Sequence, residues 1–362
     1  MQRRKHTVLL IATPGTPVFQ KALQEGIPVE PLKVKQAYTD IMAARRLALI
    51  LKKSQTRVLI FSMAKDIYVG GWARLFFYPQ LQLMYMQQMQ LGIAKKGWVQ
   101  TLLYRQLAAW VAPLHLLAEQ VKLKTHMPHQ RIHVIPLGIE ASNFVEVSQQ
   151  KTLARQKLQL QFPLSAQSFL IGTIGRLDPA KGQEYLIRAV ALLRQRQVEV
   201  HALLVGEETR GATQNYPKYL QELAQQLGVE SQVHFRPFME QAEIAFAALD
   251  AFVMASKGET YGMVTIEAMA AGLPVIGTNS GGTPELIGNG ERGLPVPPED
   301  ANAIADALEK LIRDPELRQT IATKGQAFTL TYLSATYQCE QIEALFEEID
   351  ETYRGPRIMY LS

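Results

Sequence analysis

Gly258-Glu-Thr-Tyr-Gly262-Met-Val-Thr-Ile-Glu267-Ala-Met-Ala-Ala-Gly272-Leu-Pro-Val-Ile-Gly277-Thr-Asn-Ser-Gly-Gly282-Thr-Pro-Glu285 follows the apolar run Ala251–Ala255. A short apolar run, a Gly-bearing loop and an apolar helical pattern in succession read as strand, turn and helix. The pattern predicts strand Ala251–Ala255, helix Val264–Ala271 and strand Pro274–Gly277. Gly262 permits tight backbone approach. A helix opening near Met263 offers unpaired N–H groups and the positive end of its dipole, a seat for phosphate. Glu259 in the loop and Glu267 about one turn inside the helix flank that seat. Carboxylates accept hydrogen bonds from sugar hydroxyls. One can hold a ribose and the other a donor sugar, with a diphosphate between them. Taken alone, two glutamates eight positions apart are common, a solvated loop residue and a helix-face charge. The Gly-rich strand–loop–helix setting is what gives this pair weight.

The same alternation extends outward. Upstream, Phe169–Ile174, Val200–Val205 and Val233–Phe235 read as strands, and Gly182–Arg196, Tyr216–Leu227 and Gln241–Ala248 as helices. Downstream come helix Ala301–Ile312 and two acidic helical patterns ending near Tyr353. In the first half, Val8–Ala12, Arg57–Ser62, Leu81–Met86 and Arg131–Ile135 read as strands, with helices Thr39–Lys52 and Trp98–Trp110 between them. Strands alternating with helices predict parallel α/β sheets, which bind ligands beyond the carboxyl ends of their strands. Pro136-Leu-Gly-Ile-Glu140 breaks the pattern, so the linker is placed between Pro136 and about Lys151. A length of 362 residues suits two domains.

A second constellation is Gly172-Thr-Ile-Gly-Arg-Leu-Asp-Pro-Ala-Lys-Gly182. A buried strand ends at Gly175, and Arg176 and Lys181 project from the loop and the start of the next helix. Two cations there can neutralise a leaving diphosphate; the plain alternative is a pair of surface cations. Leu203-Leu-Val-Gly206-Glu207 is a third strand running into a Gly loop, a weaker signal because such loops occur in every sheet of this type.

The formal charge of +5 hides an asymmetry. Residues 1–144 carry 19 Lys+Arg and 6 Asp+Glu, a net of +13; residues 145–362 carry 19 and 27, a net of −8. A basic half suits a polyanionic partner, such as an anionic membrane surface, an acceptor phosphate or nucleic acid, or is a solvated basic surface. Arg74 within Trp72-Ala-Arg-Leu-Phe-Phe-Tyr78 would suit a membrane interface, the alternative being core. Cys339 is the single cysteine, which excludes an intrachain disulfide and a Cys-based zinc site. The basic start followed by Val8–Ala12 is too short in its apolar part for a signal peptide, and no run is long enough to span a membrane. The expected location is cytoplasmic, with peripheral contact on the inner face of the membrane.

These residues resemble the signature of family 4 glycosyltransferases. Gly175-Arg176-Leu177 with Lys181-Gly182, the Val205-Gly206 strand end, Glu259 with Glu267, and Gly281-Gly282-x-x-Glu285 occur in the family's order. The match is closest over roughly Pro136–Ala301. The resemblance implies a GT-B fold, α/β, with two Rossmann-like domains facing each other across a cleft. The expected domains are 1–143, an acceptor domain on which 333–362 pack back as helices, and 144–332, a donor domain. It also implies retention of configuration, a nucleoside-diphosphate sugar as co-substrate, no cofactor and no obligatory metal; the basic first half and the Trp72–Tyr78 patch motivate a sugar or lipid-linked acceptor, such as a cell-envelope glycan. By the same resemblance Arg176 and Lys181 grip the diphosphate and Glu259 contacts the donor sugar. Tyr261, Gly262, Met263 and Val264 lie nearby through their backbone, Glu267 holds the ribose, and Arg236, Pro237 and Phe238 border the base.

Two departures stand out. Family members begin with an extra strand, a Gly-rich loop and a helix, whereas this chain starts at the next strand, Thr7–Ala12. Many relatives carry a His after a central strand of the first domain. Here the stretch is Tyr85-Met-Gln-Gln-Met-Gln-Leu-Gly92, with Gln88 or Gln90 near that place. Glutamine cannot act as a titrating base but can bond a sugar hydroxyl. The competing readings are a nucleotide-sugar-binding protein without turnover and a dinucleotide-dependent oxidoreductase. Ala12-Thr-Pro-Gly-Thr-Pro17 has the wrong spacing for the oxidoreductase, and no motif supports nucleic acid as a partner.

Overall fold

Buried parallel strands read as near-continuous apolar runs because helices cover both faces, and the chain follows that rule along its length. The computed structural model describes Arg4 and residues 6–36, 38–148, 150–158, 168–208, 215–349 and 357–361. In order, the elements are β1 (Thr7–Ala12), α1 (Pro17–Gln24), β2 (Val29–Pro31), α2 (Ile41–Lys53), β3 (Val58–Phe61), α3 (Asp66–Trp72), β4 (Gln82–Met86), α4 (Trp98–Tyr104), β5 (Leu107–Ala112), α5 (His115–Lys124) and β6 (Ile132–Val134). There follow α6 (Ser142–Ser148), α7 (Lys151–Lys157), β7 (Phe169–Ile174), α8 (Gln183–Gln195), β8 (Val200–Val205), α9 (Tyr216–Gln226), β9 (Val233–Arg236) and α10 (Ala242–Ala248). The last are β10 (Ala251–Met254), α11 (Met263–Ala270), β11 (Val275–Thr278), α12 (Thr283–Ile287), β12 (Leu294–Val296), α13 (Ala301–Arg313), α14 (Pro315–Tyr332), α15 (Ala335–Ile349) and β13 (Arg357–Leu361).

Two compact units result, one of Met1–Pro136 with Gln338–Ser362 and one of Leu137–Tyr337. The first holds a parallel seven-stranded sheet in the order β2-β1-β13-β3-β4-β5-β6. One face packs Leu47, Leu51, Phe61 and Trp110; the other packs Ile60, Met84 and Val111 under Phe346 of α15. The second holds a parallel six-stranded sheet in the order β12-β11-β10-β7-β8-β9. α13 shows how a helix earns its place in the second unit. Asp300 caps it by accepting the N–H of Ala303 at 2.9 Å, and Ile304, Leu308 and Leu311 recur at helical spacing on its buried side.

Three expectations are corrected. Residues 333–362 are not helical throughout, because β13 lies between β1 and β3. Thr7 sits opposite Arg357 on one side and Leu361 opposite Phe61 on the other. Two flanking strands satisfy both rows of β13's backbone groups, which local periodicity cannot reveal. The predicted helix end near Tyr353 lies outside the described residues. Trp98–Trp110 divides into α4 and β5, since a short apolar run reads equally as helix or buried strand. The stretch from Pro136 to Lys151 is not a bare linker: it contains α6, and α7 begins at its end. Asp250 anchors α7 by pairing with Lys151 and, at 2.7 Å, with Arg155, while accepting the N–H of Leu170 at 2.6 Å.

Candidate functional site

The order of the second sheet decides which loops meet. β10 and β7 are neighbours, so the loops leaving their carboxyl ends run side by side although they are far apart in sequence. The N–H of Lys257 bonds the carbonyl of Ala180 at 2.9 Å across them. Gly182, at φ +68°, lets them touch, for a Cβ there would fall 2.1 Å from the carbonyl oxygen of Ala255. The next strand end is held as tightly. The N–H of Gly175 donates to Val205 and that of Gly206 to Arg236, each at 2.9 Å.

On this platform Lys181 and Glu259 form an ion pair, Nζ to Oε1, at 2.5 Å, with 28% and 13% of their side chains exposed. The Ser256 hydroxyl donates to the same Oε1 at 2.8 Å, and Thr278 donates to the Ser256 carbonyl at 2.7 Å. Ser256 and Thr278 are site residues that the sequence reading passed over, as isolated hydroxyls carry no pattern. The loop of Glu259 is fixed from the other side by Gly281 and Gly282. Glu259 and Gly281 form a parallel bridge, and the N–H of Gly282 donates to the Glu259 carbonyl at 2.8 Å.

α11 begins beside this loop. Its N-cap is Gly262 at φ +88°, and no side chain caps it. Helix geometry leaves the first N–H groups, those of Met263 and Val264, without partners of their own helix. Tyr261 is buried and its hydroxyl donates to the carbonyl of Leu137 at 2.8 Å; burial raises its pKa. Glu267 is half-buried one turn in. Burial, then repulsion from Glu243, raises its carboxyl above the ordinary glutamate range. A helix start with unpaired N–H groups is thus flanked by a cation and two carboxylates.

The remaining sequence candidates fall as follows. Arg176 is exposed on the loop after β7, and its carbonyl accepts the side-chain amide of Gln183 at 2.7 Å. Arg236 ends β9, but its guanidinium donates to the carbonyl of Leu158 at 2.6 Å, so that side chain holds the end of α7. Pro237 follows it and Phe238 is exposed. Gln88 and Gln90 are exposed after β4 in the first unit. Their neighbour Gln87 is buried, accepting from Trp110 Nε1 at 3.0 Å and donating to the carbonyl of Met89 at 2.9 Å. Among the described residues no cluster of three or more His, Cys, Asp or Glu has metal-binding spacing.

Asp66 escaped the sequence reading. It opens α3 at the carboxyl side of β3, 7% exposed, and its Oδ2 has no hydrogen-bond partner. Burial raises its carboxyl from 3.8 to about 6. The folded state therefore binds the proton more tightly than the unfolded chain. Stability falls as pH rises from the unfolded value to the folded one and is level above it. By that linkage Asp66→Asn is expected to stabilise the protein at neutral pH by up to about 3 kcal/mol and to do little at pH 4 or below. Thermal melts of both proteins at the two pH values check this; an equal difference at both would contradict it.

The sequence model of the family described as glycosyl transferases group 1 matches residues 155–328, which hold every strand of the second sheet and all the loops just described. The chain is 33% identical to the D-inositol 3-phosphate glycosyltransferase of Corynebacterium jeikeium over 231 residues, 62% of this chain and 54% of the relative. It is 36% identical to that of Corynebacterium urealyticum over 197 residues, 53% and 45% of the two chains. The chain thus spans about half the length of these curated relatives. In fold it is similar to Anabaena HepE solved with UDP, with a TM-score of 0.80, 23% identity and coverage of 94% of this chain and 100% of that one. It is likewise similar to a glycosyltransferase of Rickettsia africae, with a TM-score of 0.84, 18% identity and coverage of 97% and 92%. At such identities the likeness is one of fold, and the fold is GT-B. Residues 155–328 of this chain thus match the family of group 1 glycosyl transferases.

Proposed function

We propose that the protein transfers a hexose from a nucleoside-diphosphate sugar to a hydroxyl acceptor with retention of anomeric configuration. The observation that carries this is the Lys181–Glu259 pair beside the uncapped start of α11, with Glu267 one turn inside. Retention and the hexose rest on the resemblance to family 4. The diphosphate takes the free N–H groups of Met263 and Val264, with Lys181 and Arg176 against its outer oxygens. Glu259 accepts from hydroxyls of the sugar and Glu267 from those of the ribose. The bond from the anomeric carbon to the phosphate oxygen breaks, and one to the acceptor oxygen forms on the same face. The acceptor proton passes to the departing phosphate, so no titrating side chain is required for it. The name of the curated relatives supports a polyol or sugar hydroxyl as acceptor.

Calorimetric titration of UDP-, GDP- and ADP-sugars is the test. One of them is expected to bind saturably, and Glu267→Ala to weaken it roughly 30- to 150-fold, the loss of hydrogen bonds to a charged group. Binding should also weaken as pH falls through the raised pKa of Glu267, because protonation removes an acceptor oxygen. Absence of binding by all three, or indifference to the substitution, would overturn the assignment.

Peripheral contact with an anionic membrane is the further partner reading. Met42 and Leu49 are exposed on α2 beside Arg45, Arg46 and Lys53. The Trp72–Tyr78 segment is divided: Ala73 is buried, Phe76 is exposed and Trp72 stacks on it at 5.6 Å. Sedimentation with phosphatidylglycerol vesicles but not phosphatidylcholine vesicles at low salt is the outcome expected, and equal behaviour toward both sinks the idea.

A further inference from the structure

The loop leaving β2 and the first turn of α2 line a cavity of about 410 Å³ that is open to solvent. Three cations line it, Lys33, Lys35 and Arg46. Among the described residues none of the three belongs to an ion pair. The one acid in the wall, Asp40, is already engaged through both oxygens. Oδ1 accepts the N–H of Ala43 and Oδ2 that of Lys35, each at 2.9 Å. These bonds, with a weaker one from Gln36 and the nearby charge of Arg46, hold its carboxyl below the usual range, so it stays ionised as the cap of α2 and offsets part of the Arg46 charge. Thr39 and Gln36 add polar groups to the rim, and Ile41 and Met42 an apolar side.

Like charges drawn toward one concavity repel one another, and a bound anion relieves that repulsion. A cleft in which three cations face one acid also concentrates anions. Lysine offers a point charge to phosphate, and arginine a fork of donors matching two phosphate oxygens. The volume lies within the usual range for small-molecule pockets. We propose that this cavity binds a phosphate-bearing anion, its phosphate seated among Lys33, Lys35 and Arg46. That the phosphate belongs to the sugar acceptor rests on the transferase reading; the anion site itself does not. The phosphate reaches the cavity on a soluble small molecule or as a phospholipid headgroup.

The test uses the full chain at low salt, with glycerol 3-phosphate as probe in calorimetry. Wild type is expected to bind it saturably and the Lys35→Gln/Arg46→Gln double variant at least tenfold more weakly. Lys96→Gln, exposed in the same unit but outside both the cavity wall and α2, should bind like wild type. Phosphatidylglycerol vesicles form the second arm. Retention that glycerol 3-phosphate competes away and the double variant loses assigns a headgroup; ester binding without vesicle retention assigns a soluble ligand. No saturable binding of the ester by wild type, or equal binding by the double variant, overturns the proposal. Titration of a nucleoside diphosphate and of glycerol 3-phosphate into Glu267→Ala separates the two readings, since that substitution should weaken the site at α11 and leave the ester's affinity for the cavity at the wild-type value.

Discussion

Lys181→Ala is expected to lower kcat about 100- to 1,000-fold, the range found when one preorganised donor to a developing negative charge is removed. Two effects combine. In the transfer we propose, the leaving diphosphate loses a cation as its charge grows, and among the described residues Glu259 is left half-buried with only the Ser256 hydroxyl on the oxygen that Lys181 had bound. The second effect predicts non-additivity. Glu259→Gln removes the stranded charge, so adding it to Lys181→Ala should cost much less than it costs alone. Release of nucleoside diphosphate from the donor, by transfer or by hydrolysis, reads kcat in all four proteins of the cycle. A normal kcat with weakened donor affinity would restrict Lys181 to ground-state binding; strictly additive losses would mean that the pair does not act as a unit.

That pairing was not legible in the sequence, whereas its two halves were. Phe169–Ile174, Val200–Val205 and Ala251–Ala255 announce themselves as strands because burial on both faces makes them continuously apolar. The loops after them then follow by position. What one chain cannot state is the order of strands in a sheet. Only when β10 lies against β7 do Lys181 and Glu259 meet, 78 residues apart. The same limit hid β13, whose partners lie at the other end of the chain, and the three-residue edge strands β2 and β12, too short to show alternation. Gly281-Gly282 was legible as a motif but not as a cause, since the backbone it approaches is that of Glu259, more than twenty positions earlier. The cavity beside α2 went unseen for a related reason. Lys33, Lys35 and Arg46 are ordinary basic residues until the loop folds over the helix start.

Gly281→Ala tests that cause directly. At φ +61° any side chain is strained, which costs about 1–3 kcal/mol outside glycine. A Cβ would also stand 2.2 Å from the carbonyl oxygen of Glu259 and 2.8 Å from its nitrogen, both backbone atoms that cannot swing aside like a side-chain tip. Overpacking of this kind adds about 1–3 kcal/mol. The loop can relieve the clash only by moving away from β11, which carries Glu259 with it. A displacement near 1 Å at a positioning group is worth about 100-fold in rate. The expected result is therefore a joint loss, about 2–6 kcal/mol in urea unfolding and about 100-fold in kcat. Gly92→Ala is the control: nothing lies within 4 Å of a Cβ there and its φ is unexceptional, so it should stay within about 0.5 kcal/mol of wild type. Loss of stability with full activity would show that Glu259 keeps its place without the Gly281 bridge. Loss of activity with wild-type stability would show instead a loop soft enough to yield, whose register with Lys181 still depends on the missing side chain at position 281.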